Sequence, residues 1–359
     1  MTWLLQRIFA GLAAVLLVVL AAGLLLRMQF TGEATPEATS MGADAAWVSG
    51  SWVDAAQSPT PQERDALIET LEHAELAEIY VHVGELSADG ELDPEGYTDA
   101  TEFLDTVSQA APDTRVLAWI SHTAQGSSLT EDRFDDATLS TTVATAEEVV
   151  AAGFSGVHYA ISPVTTNDPS LPRLLEQTRD RLDSDAVLSV QSQHLELIPG
   201  LRLPVFLATR SESFWSTGYV ARISEHVDSV VLPGHDTRMP MESLYGGFMV
   251  RQTALLLDSV PHDVSVRIGA PAYRDEAWGR NAGAETVTTA IEAVQLGWSR
   301  SEERPPAAEA GDATGTAEAE QAPEEQGTTD SPAPVGMALY LLDEAQAQQR
   351  TDFARDWGW

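Results

Sequence analysis

Residues 153–164 read Gly-Phe-Ser-Gly-Val-His-Tyr-Ala-Ile-Ser-Pro-Val. From 156 to 164 the run is rich in β-branched and aromatic residues and is opened by glycine, the composition of a strand. Residues 141–152 before it and 171–182 after it carry the three-to-four-residue apolar spacing of helices. A strand between two helices is a βα unit, so the fold depends on how often the unit recurs. Seven further strands are predicted, at 47–54, 78–84, 115–122, 186–193, 227–233, 264–270 and 336–342. Helical stretches fall between them at 62–75, 100–110, 219–225, 242–257 and 284–298, and a last one follows at 344–357. Eightfold alternation predicts an α/β fold, a closed (β/α)8 TIM barrel. An open doubly wound sheet is the competing topology, but no Gly-rich phosphate loop follows the first strand.

The barrel is expected to fill residues 45–359. Upstream, 8–26 is a run of 19 residues without a charge, flanked by Arg7 and Arg27. At 1.5 Å per residue it spans about 28 Å, close to the roughly 30 Å of bilayer hydrocarbon. A cleavable signal has a shorter apolar stretch, and the small residues Ala21-Ala22-Gly23 lie inside this one. Residues 1–30 are therefore expected to be an uncleaved, single-pass anchor, with the globular part outside the cytoplasm. Residues 31–44 are polar, with Pro and Gly, and read as a flexible tether. Residues 301–334 hold nine acids and one arginine among Ala, Gly, Pro and Thr, and read as a disordered acidic insertion on the face opposite the site.

Composition narrows the chemistry. All 20 basic residues of the 359 are arginine, against 55 acids, and there is no cysteine. Disulfides, thiolate nucleophiles and cysteine metal sites are excluded. A net charge of −35 repels phosphate backbones, so no nucleic acid partner is expected. Residues 31–359 alone carry 18 − 55 = −37. Such self-repulsion is screened only in strong salt, so a halophile's protein is expected.

Residues 153–163 resemble the fourth-strand signature of the chitinase-like glycoside hydrolase family 18 barrels, D-G-x-D-x-D-x-E. Ser155, His158, Ala160 and Ser162 occupy its four acidic positions. Residues 227–237 are similar to the sixth strand, with His235 at the family's tyrosine and Asp236 at its aspartate. Residues 266–273 resemble the seventh strand, and 336–342 the eighth without its tryptophan. The resemblance implies a barrel that meets carbohydrate, here a cell-envelope polysaccharide. In the family the glutamate protonates the leaving oxygen and an aspartate orients the substrate's acetamido group. Ser162 is too weak an acid for that work and Ala160 has no polar group. A pseudoenzyme is expected.

Polar groups just past the strand ends are Asp54, Glu85, His122, Gln193, His194, Glu196, His235, Asp236, Arg274, Asp275 and Glu276. Glu85 and Asp236, from strands two and six, are the candidates for a relocated catalytic pair, for which about 5–9.5 Å separation is needed. His122, His194, His235 and Asp236 come from three strand ends, but H-x-H and H-E-x-x-H spacings are absent, so neither metal nor cofactor is expected. Trp52, Trp215, Tyr245, Tyr273 and Trp278 are the candidates for stacking on sugar faces. Arg238 and Arg274 are candidates to clamp an anionic sugar. Carbohydrate binding without family chemistry leads; an active glycosidase with relocated acids and a structural envelope protein that binds nothing are the alternatives.

Overall fold

The computed structural model describes residues 2–34, 38–123, 135–198, 214–273, 280–301 and 334–358. Helix α1 (Thr2–Gln29) is followed by β1 (Ala45–Val48), α2 (Pro61–His73), β2 (Glu78–Glu85), α3 (Ala100–Ala110), β3 (Arg115–Thr123), α4 (Asp136–Ala151) and β4 (Gly156–Ser162). Then come α5 (Ser170–Arg181), β5 (Val187–Gln191), the short β6 (His194–Leu195) and β7 (Phe214–Trp215), and α6 (Thr217–Ser224). The chain continues through β8 (Ser229–Leu232), α7 (Glu242–Leu257), β9 (Ser265–Pro271), α8 (Val287–Trp298), β10 (Val335–Tyr340) and α9 (Ala347–Trp357). Strands β1, β2, β3, β4, β5, β8, β9 and β10 pair in parallel and close into a barrel. The fold is the (β/α)8 TIM barrel.

Local chemistry sets the element ends. Thr60 and Glu63 form a reciprocal capping box at the start of α2, and Asp135, Ser216 and Thr286 each accept a backbone N–H at the starts of α4, α6 and α8. At the start of β4, Gly156 has φ +156° and lies so close to β5 that a Cβ would come within 2.0 Å of the Val187 carbonyl. Strand alternation then sorts the side chains. Outward residues such as Ile79, Val81, Ile120 and Val157 pack under the helices. Inward, Ala45, Trp47, Tyr80, Leu117, Val187, Val231 and Ala338 form a separate core, with Trp119 and Tyr340 against it.

The barrel floor is polar. Buried Arg267 pairs with Glu78 at 3.0 Å and donates to the Ala43 carbonyl at 2.6 Å, while Tyr80 donates to Glu78. Asp44 accepts from Met337 N, Trp357 Nε1 and Ser40 Oγ. Within the segment expected as a tether, Ala38, Ala43 and Asp44 are buried, and Ser40 N donates to the Trp357 carbonyl. Their side chains close the floor, a role that polar composition does not reveal. The first strand also ends earlier than expected. Ser49 and the Trp52 indole both donate to Asp343, and this draws the chain into a 3-10 turn at Gly50–Trp52. The β6–β7 pair is an addition that the sequence did not suggest. Most of the acidic insertion, 302–333, lies outside the described residues.

Candidate functional site: the barrel mouth

Segments that follow the strands collect at the C-terminal mouth, where barrel active sites lie. The β4 motif positions fall on the inward parity: His158, Ala160 and Ser162 alternate with outward Val157, Tyr159 and Ile161. His158 is wholly buried. Its Nε2 accepts from Trp47 Nε1 at 3.2 Å, so Nδ1 carries the proton and donates to Ser189 Oγ at 2.8 Å. The ring stacks on Tyr80 at 4.0 Å. Burial, with the Arg267 charge added, holds its pKa down at about 3. His158 is thus a neutral core residue with one fixed tautomer.

Trp47 stands at the centre of a ring cluster that plugs the barrel. Tyr80, His158, His235 and Tyr340 lie around it at centroid distances of 5.5–5.9 Å. His235 stacks on Tyr340 at 3.8 Å, and burial holds its pKa down at about 4. Around the mouth Trp119, His82, Ser121 and Ala160 are half-buried, as is Tyr340 of the ring cluster, and Ser162 is exposed. His82 meets Ser121 Oγ at 2.9 Å and the Trp119 ring edge-on at 4.8 Å. Trp119 and Tyr340 were not among the sequence candidates. Their signal was available: Trp119 shares parity with Leu117, and Tyr340 with Ala338.

The candidate carboxylates sit at the rim. Glu85 is exposed and accepts from Thr123 N at 2.8 Å; the Thr123 hydroxyl first, then its N–H, with His122 and His82 nearby, hold its carboxyl below the usual range. Asp236 is exposed, has φ 56° and pairs with Arg280 at 2.9 Å. Missed in the sequence was Glu285, only 2% exposed. Its Oε1 accepts from Thr237 N and Oγ1 at 2.9 and 2.6 Å, while Oε2 is buried without a hydrogen-bond partner. Burial, aided by the Asp236 charge, raises its pKa. Nothing in the sequence marked it beyond its place just before the Thr286 cap.

Four of the aromatic candidates are buried. Trp215 is fully buried, its Nε1 donating to the Val164 carbonyl, and Tyr245 is fully buried, its hydroxyl donating to the Gly234 carbonyl. Trp52 is 9% exposed and Tyr273 4%, the latter beneath the Arg280 guanidinium at 4.8 Å. These four rings are part of the packed wall of the barrel. Trp278, with Arg274, Asp275 and Glu276, lies outside the described residues. The histidines do not converge: His122 Nδ1 donates to the Leu86 carbonyl, and His194 Nε2 to that of Pro233. Among the described residues no three His, Asp or Glu side chains group around a common point.

No family model matches the sequence, and no curated protein does. Solved structures match in shape. The spore cortex-lytic enzyme SleL of Bacillus cereus aligns over 64% of this chain and 51% of its own, at 14% identity and TM-score 0.48. SleL of Bacillus megaterium aligns over 67% and 52%, at 13% identity and TM-score 0.49. This chain therefore spans about half the length of those two enzymes. A chitinase from Bacteroides thetaiotaomicron aligns over 88% of this chain and 96% of its own, at 11% identity and TM-score 0.52. In fold, the chain is a chitinase-like TIM barrel.

Proposed function

We propose that this barrel binds carbohydrate of the cell envelope, held at the membrane by its N-terminal helix, and does not run the chemistry of family 18. The observation that carries the reading is β4. The position of the family's general acid is Ser162, on the inward parity, and the layer beneath it is neutral His158 and Ala160. Removing a general acid alone costs about 10²–10⁴-fold, and removing its cooperating groups leaves no mechanism. Binding is supported by the half-buried rings of Trp119 and Tyr340 at the mouth, flanked by hydroxyl, imidazole and carboxylate groups. Flat apolar faces beside polar tips suit sugar rings.

The test is the full chain in detergent and strong salt on a polysaccharide array, with bound protein and released product both recorded. Binding without release supports the reading. Release that disappears in Glu85→Gln establishes the active-glycosidase alternative, and silence on every glycan favours a structural envelope role. Protease shaving of intact cells tests the side of the membrane: the barrel must be cleaved while the interior stays intact.

A further inference from the structure

The end of the anchor is packed against the barrel. Gly23 lies beside Leu244, and three residues on, Leu26 lies beside Gly247, so α1 runs alongside α7 in the same direction. The approach is backbone to backbone: a Cβ on Gly247 would come within 1.8 Å of the Leu26 carbonyl, and one on Gly246 within 2.6 Å of the Phe30 ring. Two adjacent glycines are poor helix formers, and here they make room for this contact. Arg300, just past α8, fixes the joint by donating to the carbonyls of Gln29 and Thr31 at 2.6 Å each.

The direction of α1 has a geometric consequence. Helices in a βα barrel start at the C-terminal mouth, so α7 begins at the mouth and runs to the floor. Running with it, α1 points its N-terminal, apolar part beyond the mouth. Its apolar run ends at Leu26, level with Gly247. The first turn of α7 is therefore level with the last turns of the membrane-spanning stretch. Past Phe30, Gly32 lies beside Leu296 near the end of α8, and Ala38, Ala43 and Asp44 are buried at the floor. Outside α1, the large apolar side chains exposed among the described residues are Met241, 52% exposed at the start of α7, and Ile198, 60% exposed past β6. Both lie on the mouth side.

We propose that the α1–α7 joint holds the mouth of the barrel against the bilayer surface, with Met241 and Ile198 in the lipid interface. The partner of this face is a lipid surface, and the glycans within reach of the mouth are those at the membrane. The proposal rests on α1 being a retained anchor. The native chain has no cysteine, so single labels are unambiguous. Met241→Cys, Ile198→Cys and, on the floor, Asp113→Cys in the full chain are labelled with a fluorophore. Each is reconstituted in phosphatidylcholine vesicles at high salt, with nitroxide-bearing lipid as quencher. Labels at 241 and 198 are expected to be quenched several-fold more than the label at 113. Gly247→Leu, and independently Arg300→Ala, are expected to reduce that ratio with the chain still membrane-bound. Equal quenching on both faces, or stronger quenching at 113, in chains that resist carbonate extraction overturns the proposal alone. Chains released by carbonate overturn the anchor reading and the proposal with it.

Discussion

His158 offers the sharpest test of the barrel interior. Replacing it by Phe keeps a ring against Tyr80 but removes the acceptor of Trp47 Nε1 and the donor to Ser189. Ser189 keeps its bond from Ser229, so the main loss is one buried indole N–H without a partner. That costs about 1–3 kcal/mol, plus about 1 kcal/mol for the extra bulk. Near pH 8, His158→Phe should thus be less stable than the native chain by about 2–4 kcal/mol. Acid changes the comparison. The native imidazole has a folded pKa of about 3, below its ordinary 6.5. A lowered folded pKa gives stability that is present above 6.5 and lost as pH falls toward 3, because the unfolded chain takes up the proton first. At pH 4 the native chain has lost roughly 3 kcal/mol on this account, at about 1.4 kcal/mol per pH unit, and the Phe variant nothing. His194 and His235 titrate in both chains and cancel. Urea unfolding followed by tryptophan fluorescence at several pH values should show the gap between the two proteins narrowing, and closing near pH 4. A gap independent of pH refutes the buried neutral imidazole.

Three other outcomes are expected. The melting temperature should rise between 0.1 and 2 M salt, since the Debye length contracts from about 10 Å to below 3 Å; a flat curve in scanning calorimetry counts against the halophile reading. Trp119→Leu should weaken glycan binding by about fivefold, the equivalent of roughly 1 kcal/mol of ring stacking, with circular dichroism unchanged. The folded pKa of Glu285 is raised above 4.5, so its stabilising share is present at low pH and lost as pH rises through that folded value. Glu285→Gln should therefore gain on the native chain as pH increases above 4.5, read as the difference in melting temperature. A constant difference removes that assignment.

Much of the barrel was legible because each strand is a short β-rich run between helices. The helices 100–110 and 242–257 match their expected limits at both ends, and all eight barrel strands overlap their expected ranges. Legibility failed where long-range partners decide. Asp343 draws Ser49 and Trp52 out of the first strand from almost three hundred residues away. Asp44 reads as one more acid in a polar segment, yet it receives three donors in the floor and burial raises its pKa. Tryptophan and tyrosine content marked Trp215 and Tyr245 as ligand-facing, whereas their polar tips are spent on backbone carbonyls inside the protein. The two rings that do reach the mouth were identifiable only by counting in twos along β3 and β10.

The rim carboxylates bear directly on the rival glycosidase reading. A glycosidase needs one carboxyl that keeps its proton until the leaving oxygen takes it, beside a second that stays ionised. Glu85 is held toward the anion by the Thr123 hydroxyl and N–H, which suits the second task and opposes the first. Asp236 is paired with Arg280 at 2.9 Å. The rim group whose pKa is raised, Glu285, has one oxygen committed to Thr237 and the other enclosed. Of these three acids, Glu85 suits the base and none combines a raised pKa with an exposed oxygen. Under this reading, converting Glu85 to Gln leaves glycan binding intact and has no hydrolysis to abolish.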